Sequence, residues 1–447
     1  MQNRSSFKNN INQGNHSSDN MRIIRIVMLC MVIIFPCRHK TVAQDTLKIS
    51  IEQAEKQFLE KNLQLLAERC NIDIADAAIV QANLLNNPTI GVGDVNFWRS
   101  NAAEELGVSP SSFGNRIVFS AELEQMIRTA GKRRKLVNLE KAAKEIAIQE
   151  FEVFLLGLKT ELRIILHETI YLQSYIDLIQ INQKSVERLV EIYKNNLSSG
   201  NITKSELIRL QSSLIELETE ANETRTELNR QYKELKILLN IEPKIAISIL
   251  PDAFATKNPD EILITDLLER AKNSRPEFRL ADLNIQYNEK SLAYEKSLRS
   301  PDVGLSVNFD RYGGVWKNFL GVGVSVDIPV FNRNQGNIKM AKFKIEQSNY
   351  NAEYQKNAIQ QEIAEIYYNY SMNYRFYQKI LDNDFSGDLE NMLEVYSRNL
   401  LNRNIGMLEY IDFMGSYRTT KQAVLKAKKN LDTSFAELQF SINSEIN

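Results

Sequence analysis

The chain has 447 residues and a formal net charge of −1 at pH 7, with 55 Lys and Arg against 56 Asp and Glu interspersed along it. This balance lacks the basic surface that a nucleic-acid partner requires, so nucleic acid is excluded as a partner. Glycine (17) and proline (9) are scarce, and the long uninterrupted segments rich in Glu, Lys, Leu, Ala and Gln predict very long helices.

Residues 1–43 are predicted to be a secretory signal. We expect translation to start at Met21, with Arg22 and Arg25 as the basic region and Ile26–Phe35 as the apolar run. The small residues of Thr41–Ala43 suit cleavage at the end of that segment. An apolar run of ten residues is too short to cross about 30 Å of hydrocarbon as a helix. The alternatives are a membrane anchor and lipid attachment at Cys37, and the preceding Phe-Pro pair disfavours the latter.

Cleavage there leaves one cysteine, Cys70, and one histidine, His167. An intramolecular disulfide is then impossible, and the two residues make neither a metal site nor a catalytic dyad. We expect His167 to be an ordinary packing residue. No phosphate loop, dinucleotide fingerprint or hydrolase elbow is present. We therefore predict no enzyme, cofactor or metal site; an enzyme would have to use the scattered carboxylates Glu122, Glu124 and Asp327.

The rest of the chain is a duplication. One set of residues recurs 213 positions later and another 203 positions later, so we divide the chain into a first repeat, 44–250, and a second, 251–447. Gly131 aligns with Gly336, 205 positions on. This alignment puts an insertion of about ten residues mainly between residues 97 and 116, and the remaining slip between Gly131 and Tyr193. The recurring residues include Asn71, Pro88 and Gly91 with Asn284, Pro301 and Gly304, and Tyr193, Glu206 and Ile208 with Tyr396, Glu409 and Ile411.

Helical periodicity covers six segments. They are residues 51–85, 132–197, 204–240, 264–298, 338–400 and 407–442. The longest would reach roughly 90 to 100 Å. Leucines at 207, 210, 214 and 217 alternate in steps of three and four, which is a coiled-coil seam that needs partner helices.

Four segments of period two lie between these helices and predict strands. They begin at Thr89, Ile117, Val303 and Leu320, and the first changes phase near Asp94, which indicates a bulge. Each has about nine to eleven residues, the length with which a tilted strand crosses a bilayer. The acids Asp302, Asp327, Glu122 and Glu124 on the polar face suit a wet lumen.

Two hairpins are too few to close a barrel in lipid, so a membrane barrel would need strands from several subunits. Alternation alone also fits a half-buried strand in a soluble protein. A soluble periplasmic coiled-coil scaffold with two hairpins in one globular head is therefore an alternative.

The segment Val324–Ile338, with the sequence VSVDIPVFNRNQGNI, resembles the strand-to-helix signature of TolC-like outer membrane factors. The likeness extends from about Leu47 to the C-terminus. It includes Ser50–Ala54 at a helix start, Asn87-Pro88 and Ser300-Pro301 before strands, and Ser199–Ile202 at a helical turn.

This resemblance implies a mainly α protein with a membrane β-barrel. Three identical subunits would each give four strands to a 12-stranded barrel in the outer membrane lipid and long antiparallel helices to a tunnel in the periplasm. Such channels dock on a periplasmic adaptor protein and an inner-membrane pump, here of the RND type. They are passive ducts of tripartite efflux systems or, alternatively, of type I protein secretion. The segment Met126–Arg133 resembles the heavy-metal efflux branch.

The resemblance also assigns the two helical turns to the periplasmic end of the tunnel. Candidate adaptor contacts are Gly200, Asn201, Ile202, Asn404 and Ile405. Candidate gate residues are Glu409 and Asp412, which share a helix face, with Arg403 and Arg209 as their balancing charges. Threefold symmetry would gather the two acids into rings that close the entrance and select cations.

Overall fold

The computed structural model describes residues 46–96, 118–197, 202–251, 256–311, 318–382, 385–444 and 446. The chain divides into a large unit, Lys48–Pro243 with Ile247–Asn447, and a small one, Met1–Leu47 with Lys244–Ala246. Of the small unit, the structure describes only residues 46–47 and 244–246, which begin two short strands. The large unit contains the long helices and the four longer strands.

Its elements alternate between long helices and short strands. In chain order they are β1 (Thr46–Ile49), α1 (Ile51–Lys61), α2 (Leu63–Asn83), β2 (Thr89–Asn96), β3 (Val118–Ile127), α3 (Lys132–Leu197), α4 (Lys204–Leu238), β4 (Ala246–Ile249), α5 (Ile264–Ser274), α6 (Pro276–Ser297), β5 (Val303–Arg311), β6 (Asn318–Val326), α7 (Gln335–Asp382), α8 (Phe385–Leu401) and α9 (Met407–Ser441), with a 3-10 turn at Pro259–Glu261.

The helices predicted over 132–197, 204–240 and 407–442 are confirmed in position, and the segment predicted as 338–400 is described as α7 and α8, with residues 383–384 outside the described part. The helix α3 has 66 residues and is therefore about 100 Å long. Three of the four seam leucines are buried and Leu214 is partly buried, packed with residues of α3 and α9 such as Ile179 and Tyr410. Among the described residues, no helix combines the length and the apolar character needed to span a bilayer.

The prediction of single helices over 51–85 and 264–298 was wrong, because both are broken at equivalent residues. Asn62 and Arg275, 213 positions apart, have extended backbone, with ψ of 119° and 126°. Proline at 276 explains the second break, because proline disfavours helical backbone in the residue before it. At the first break, the buried Asn62 side chain caps α2 through the Leu65 N–H at 2.8 Å and donates to the Leu238 carbonyl at 2.9 Å.

The four longer strands form one antiparallel sheet in the order β2-β3-β5-β6. Pairing of Ala121 with Phe309 and of Val307 with Val322 fixes the register. The predicted irregularity in the first strand is confirmed, because the β2–β3 register shifts between Gly93 and Asn96.

The helices pack side by side in two sets that share α3 and α7. In the set next to the sheet, α2 packs on α3, α3 on α6, and α6 on α7. In the distal set, α4 packs on α3, α3 on α9, and α9 on both α7 and α8. The main apolar cores lie around Leu210, around Phe58 with Leu166, and around Ile363 with Leu438.

The connections from strand to helix correct the alignment of the repeats. Gly131 and Asn334 directly precede α3 and α7, and both have positive φ, 67° and 56°. These two residues are equivalent, 203 positions apart, whereas Gly336 lies inside α7. The offset of 203 therefore applies from the start of α3, and the slip placed between Gly131 and Tyr193 lies instead before the helix. The β3–α3 connection has four residues and the β6–α7 connection eight.

Candidate functional site

The sheet has one apolar face that nothing in the described chain covers. Rows of apolar residues run across the strands, one of them through Ile90, Leu123, Val307 and Val322. These side chains are exposed, and 86% of Val322 is accessible. Solvent-exposed apolar area on this scale marks a surface that is covered in the functional state.

The opposite face is polar and closely fitted. Glu122 aligns with Asn308, which aligns with Gly321 on the next strand. A Cβ atom at Gly321 would lie 2.3 Å from the Asn308 Oδ1 atom, and one at Gly304 would lie 2.2 Å from the Ser325 Oγ atom. Glycine therefore makes room for polar side chains on this face. Glu122 and Glu124 lie on it as predicted.

Asp302 lies just outside β5, so it is not one of the strand residues that form this face. It precedes β5 and accepts hydrogen bonds from the Lys132 ammonium at 2.7 Å and the Thr129 N–H at 2.9 Å. Partial burial acts to raise the pKa of Asp302, but the bonds from Lys132 and Thr129 outweigh it and hold the pKa below its usual value. Asp302 thus links the start of α3 to the strand of the other repeat.

At the far ends of the helices, the two repeats cap equivalent helices differently. Thr203 caps α4, and Glu206 closes a capping box by accepting from the Thr203 N–H at 2.9 Å and its hydroxyl at 2.8 Å. Hydrogen bonds from Thr203 lower the pKa of Glu206. The equivalents in α9 are Gly406, which has no capping side chain, and Glu409. Glu409 therefore takes no part in a capping box.

Arg403 ends α8 in the left-handed conformation, with φ of 60°. The Asn404 N–H donates to the Asn399 carbonyl at 2.9 Å and the Arg403 N–H to the Leu400 carbonyl at 3.1 Å, which is a Schellman motif. The positive charge of Arg403 adds to the lowering of the pKa of Glu206. Within one chain, Arg403 therefore joins the turns of the two repeats.

The predicted gate residues lie on exposed helix faces near these turns. Glu409 and Asp412 are exposed on α9, and Met407 and Tyr410 are buried on its other side. Among the described residues, neither acid has an ion-pair partner. Arg209 is exposed on α4, at the position equivalent to Asp412.

The predicted adaptor contacts are described only in part. Ile202 and Ile405 are partly buried against the apolar core of the distal helices, and Asn404 is exposed. Gly200 and Asn201 lie outside the described residues.

The titratable groups show no catalytic arrangement in the described part of the chain. His167 is buried in α3, and burial with nearby Arg163 and Lys428 lowers its pKa to about 4. No group of three potential metal-ligating side chains occurs among these residues. Asp327 lies beyond the end of β6, and Glu124 accepts a bond of 3.4 Å from the Ser325 hydroxyl.

Three solved structures similar to this chain are bacterial outer membrane proteins. The CmeC outer membrane channel of Campylobacter jejuni is 13% identical, with 88% of this chain and 85% of CmeC covered at a TM-score of 0.71. The outer membrane protein VceC of Vibrio cholerae is 13% identical, with 89% of this chain and 97% of VceC covered at a TM-score of 0.67. The open state of the Neisseria gonorrhoeae MtrE outer membrane channel is 16% identical, with 88% of this chain and 89% of MtrE covered at a TM-score of 0.65.

The chain has the TolC-like channel fold. Its predicted fold class, with long helices and four strands per chain, is confirmed. No protein-family profile and no curated protein sequence matches the chain.

Two polar contacts of this TolC-like chain were not predicted from its sequence. The Lys132–Asp302 pair joins residues 170 positions apart, and Asn62 reaches the end of α4. Lys132, Asp302 and Asn62 are polar residues at positions where the sequence pattern predicts an exposed side chain. The periodicity therefore gives no sign that they make buried contacts. The available signal was Pro276, which disfavours helical backbone at Arg275, the repeat equivalent of Asn62.

Proposed function

We propose that this protein is the outer membrane channel of a tripartite efflux system, acting as a passive exit duct for small molecules or metal ions. The observation that carries the proposal is the exposed apolar face of a four-stranded sheet whose strands have the length of a bilayer span. The likeness of the fold to outer membrane channels supports it.

We propose a homotrimer for a physical reason. The sheet has two edge strands, β2 and β6, and hydrocarbon cannot satisfy their backbone groups. Joining the β6 edge of one copy to the β2 edge of the next removes both edges. Three copies give a 12-stranded barrel with the apolar face toward outer membrane lipid and the polar face inside. The helices then extend into the periplasm.

The distal turns are proposed to bind a periplasmic adaptor and, through it, an RND-type inner-membrane pump. Exposed Asn404 and partly buried Ile202 and Ile405, with Gly200 and Asn201, are the proposed contacts. The main chain at these turns supplies hydrogen-bonding groups that continuous helix lacks.

The gate is proposed to consist of Glu409 and Asp412. Their exposure, their shared helix face and the absence of a capping role for Glu409 support this assignment. Arg209 occupies the repeat position of Asp412, so rings of opposite charge would alternate around the entrance. Arg403 balances the cluster from the adjoining turn.

Cell fractionation tests the main proposal. The protein is expected in outer membranes, released only by detergent and with the mass of a trimer, and conducting in planar bilayers. A monomer released without detergent would contradict the proposal and favour the soluble scaffold.

Among the proposed cargoes, the resemblance of Met126–Arg133 to the heavy-metal efflux branch favours metal ions over other small molecules. A deletion strain is expected to become sensitive to cobalt, zinc or copper. Sensitivity confined to dyes and antibiotics would count against a metal cargo, and loss of a secreted protein would favour type I secretion.

A further inference from the structure

The start of α6 borders a cavity of about 640 Å³ in the large unit. Its wall combines α3, the last turn of α5, the first turns of α6, and α7. The 22 residues of α6, about 33 Å long, separate this point from β5, so the cavity shares no residue with the sheet. The lining is mostly polar and charged, and it includes Gln149, Lys272, Arg275, Phe278, Arg279 and Lys356.

The helix α6 begins without the cap that its repeat equivalent has. In the first repeat, the Asn62 side chain accepts from the Leu65 N–H at 2.8 Å and caps α2. The equivalent residues, 213 positions on, are Arg275 and Phe278. Arg275 makes no capping side-chain bond, so the Phe278 N–H has no side-chain acceptor, although Phe278 is buried and lines the cavity. An uncapped helix start offers N–H donors and the positive end of the helix dipole to an anion.

A buried amide at the cavity also lacks a partner. Gln149 of α3 is 8% exposed, and its side chain forms no hydrogen bond with the described residues. The amide is not fully enclosed, unlike that of Asn182, and because Gln149 lines the cavity, the accessible part of the amide opens into it. A buried amide costs free energy unless it is hydrogen-bonded. Whatever occupies the cavity must therefore supply its hydrogen bonds.

Two of the cations at the cavity are already paired. The Arg275 guanidinium donates to the Glu277 carboxylate at 2.6 and 3.1 Å and to the Glu362 carboxylate at 3.2 Å. The Lys356 ammonium donates to Asp282 at 2.8 Å. These charges are balanced within the chain and hold the wall of the cavity in place.

Three further charges at the cavity are not closely paired. Arg279 has 66% of its side chain accessible and a single long contact, 4.0 Å, to Glu145. Lys272 and Glu152 are exposed and form no ion pair with the described residues. Two cations and one acid leave a surplus of one positive charge, and both cations lie within four residues of Arg275 in the sequence. The surplus charge thus adds to the positive end of α6.

The repeated fold does not require these polar groups. The equivalent of Gln149, 203 positions on, is Ala352, and the equivalent of Arg279, 213 positions back, is Leu66. Both positions are apolar in the other repeat. The amide and the guanidinium at the cavity are therefore particular to the pair of α3 and α6.

We propose that this cavity binds a small solute through a carboxylate or phosphate group held at the start of α6. The donors are the Phe278 N–H, the Gln149 amide and the Arg279 guanidinium, and Lys272 adds positive charge. Charge-assisted hydrogen bonds are stronger than neutral ones, and a helix start with free N–H groups is suited to an oxyanion. This binding site is separate from the proposed passage of cargo.

Thermal unfolding of the detergent-solubilised full chain tests the site, with sodium acetate and sodium phosphate as the two probes. Circular dichroism measures the unfolding temperature at constant ionic strength, with sodium chloride as the reference. A solute that binds the folded protein raises this temperature increasingly as its concentration exceeds the dissociation constant. We expect such a rise with at least one probe, and the more effective probe shows whether the site prefers phosphate or carboxylate.

Two variants locate the bound group. Arg279→Gln and Gln149→Leu should each weaken the apparent affinity for the more effective probe by about tenfold or more, because each removes a hydrogen bond to a charged group. In chloride alone, Gln149→Leu should unfold at the same temperature as the unchanged protein or higher, because it removes an unpartnered buried amide. The matched control is Arg270→Gln, since Arg270 is exposed on α5 and does not line the cavity.

No rise with either probe beyond that in chloride would overturn the proposal. An unchanged response in both Arg279→Gln and Gln149→Leu would also overturn it, because the anion would then bind elsewhere. An equal loss of response in Arg270→Gln would show that surface charge alone is responsible. Conductance tests the proposed function separately from all three results.

Discussion

The Lys132 ammonium lies 2.7 Å from the Asp302 carboxylate. This ion pair joins the start of α3 in the first repeat to the start of β5 in the second. Only 7% of the Lys132 side chain is accessible. The contact therefore holds the sheet to the helices at the point where the two repeats meet.

Removing this ammonium should destabilise the protein. Lys132→Met leaves Asp302 without its main partner, and we expect the free energy of unfolding to fall by about 1–3 kcal/mol. The matched control is Lys144→Met, because Lys144 pairs with Asp76 at the same 2.7 Å but is 29% accessible. That exposed pair should contribute about 0–1 kcal/mol. Denaturant unfolding followed by circular dichroism measures both; equal losses would contradict the special role of Lys132.

The same pair predicts a dependence of stability on pH. The pKa of Asp302 is lower in the folded protein, so the stabilisation is complete above about pH 4, the ordinary aspartate pKa. It is lost as the pH falls through the lower folded value. The Lys132→Met variant should lack this part of the acid sensitivity, and unfolding curves between pH 6 and pH 2 test it.

A buried amide in α3 is predicted to cost stability. Asn182 is 1% exposed, and neither its Oδ1 nor its Nδ2 atom has a hydrogen-bond partner among the described residues. Asn182→Leu removes both buried polar atoms, and we expect a gain of about 1–3 kcal/mol. The control is Asn71→Leu, because Asn71 is exposed on α2, and this substitution should change the free energy of unfolding little. A loss of stability in Asn182→Leu would show that the amide has a role.

The left-handed turn at Arg403 gives a backbone test. A residue with a Cβ atom pays about 1–2 kcal/mol for this conformation, and glycine does not. Both Arg403→Gly and Arg403→Ala remove the charge near Glu206, so Arg403→Gly should be the more stable of the two by about 1 kcal/mol. Thermal unfolding in detergent compares them; the opposite order would rule out the positive φ.

The proposed gate is tested by conductance. Glu409→Gln with Asp412→Asn should change conductance, reduce the preference for cations and weaken block by divalent ions, because the acid rings lose their charge. The control is Glu187→Gln with Glu191→Gln, because these two acids are exposed on α3 and are not proposed as gate residues. Unchanged conductance, selectivity and block in the first double variant would contradict the gate.

Several elements were predicted from the sequence with little error. Residues 132–197 form one helix as predicted, because the apolar pattern with a period of 3.6 residues continues through the segment and no proline interrupts it. The strands and the irregularity near Asp94 were also predicted, from period two. The helix breaks at Asn62 and Arg275 were not predicted, because the apolar pattern continues through both. Pro276 was a signal for the second break, whereas the first depends on a hydrogen bond to Leu238, which is distant in sequence.

The sequence by itself determined the duplication, the long helices, the four strands and the resemblance to TolC-like channels, because each depends on local periodicity or on residues close in the chain. Only the tertiary structure decided that Gly131 corresponds to Asn334, that Asp302 pairs with Lys132, and which helix faces remain without a partner. These depend on backbone angles and on contacts between residues far apart in sequence. Periodicity marks a face as apolar, but only packing decides whether that face is already covered.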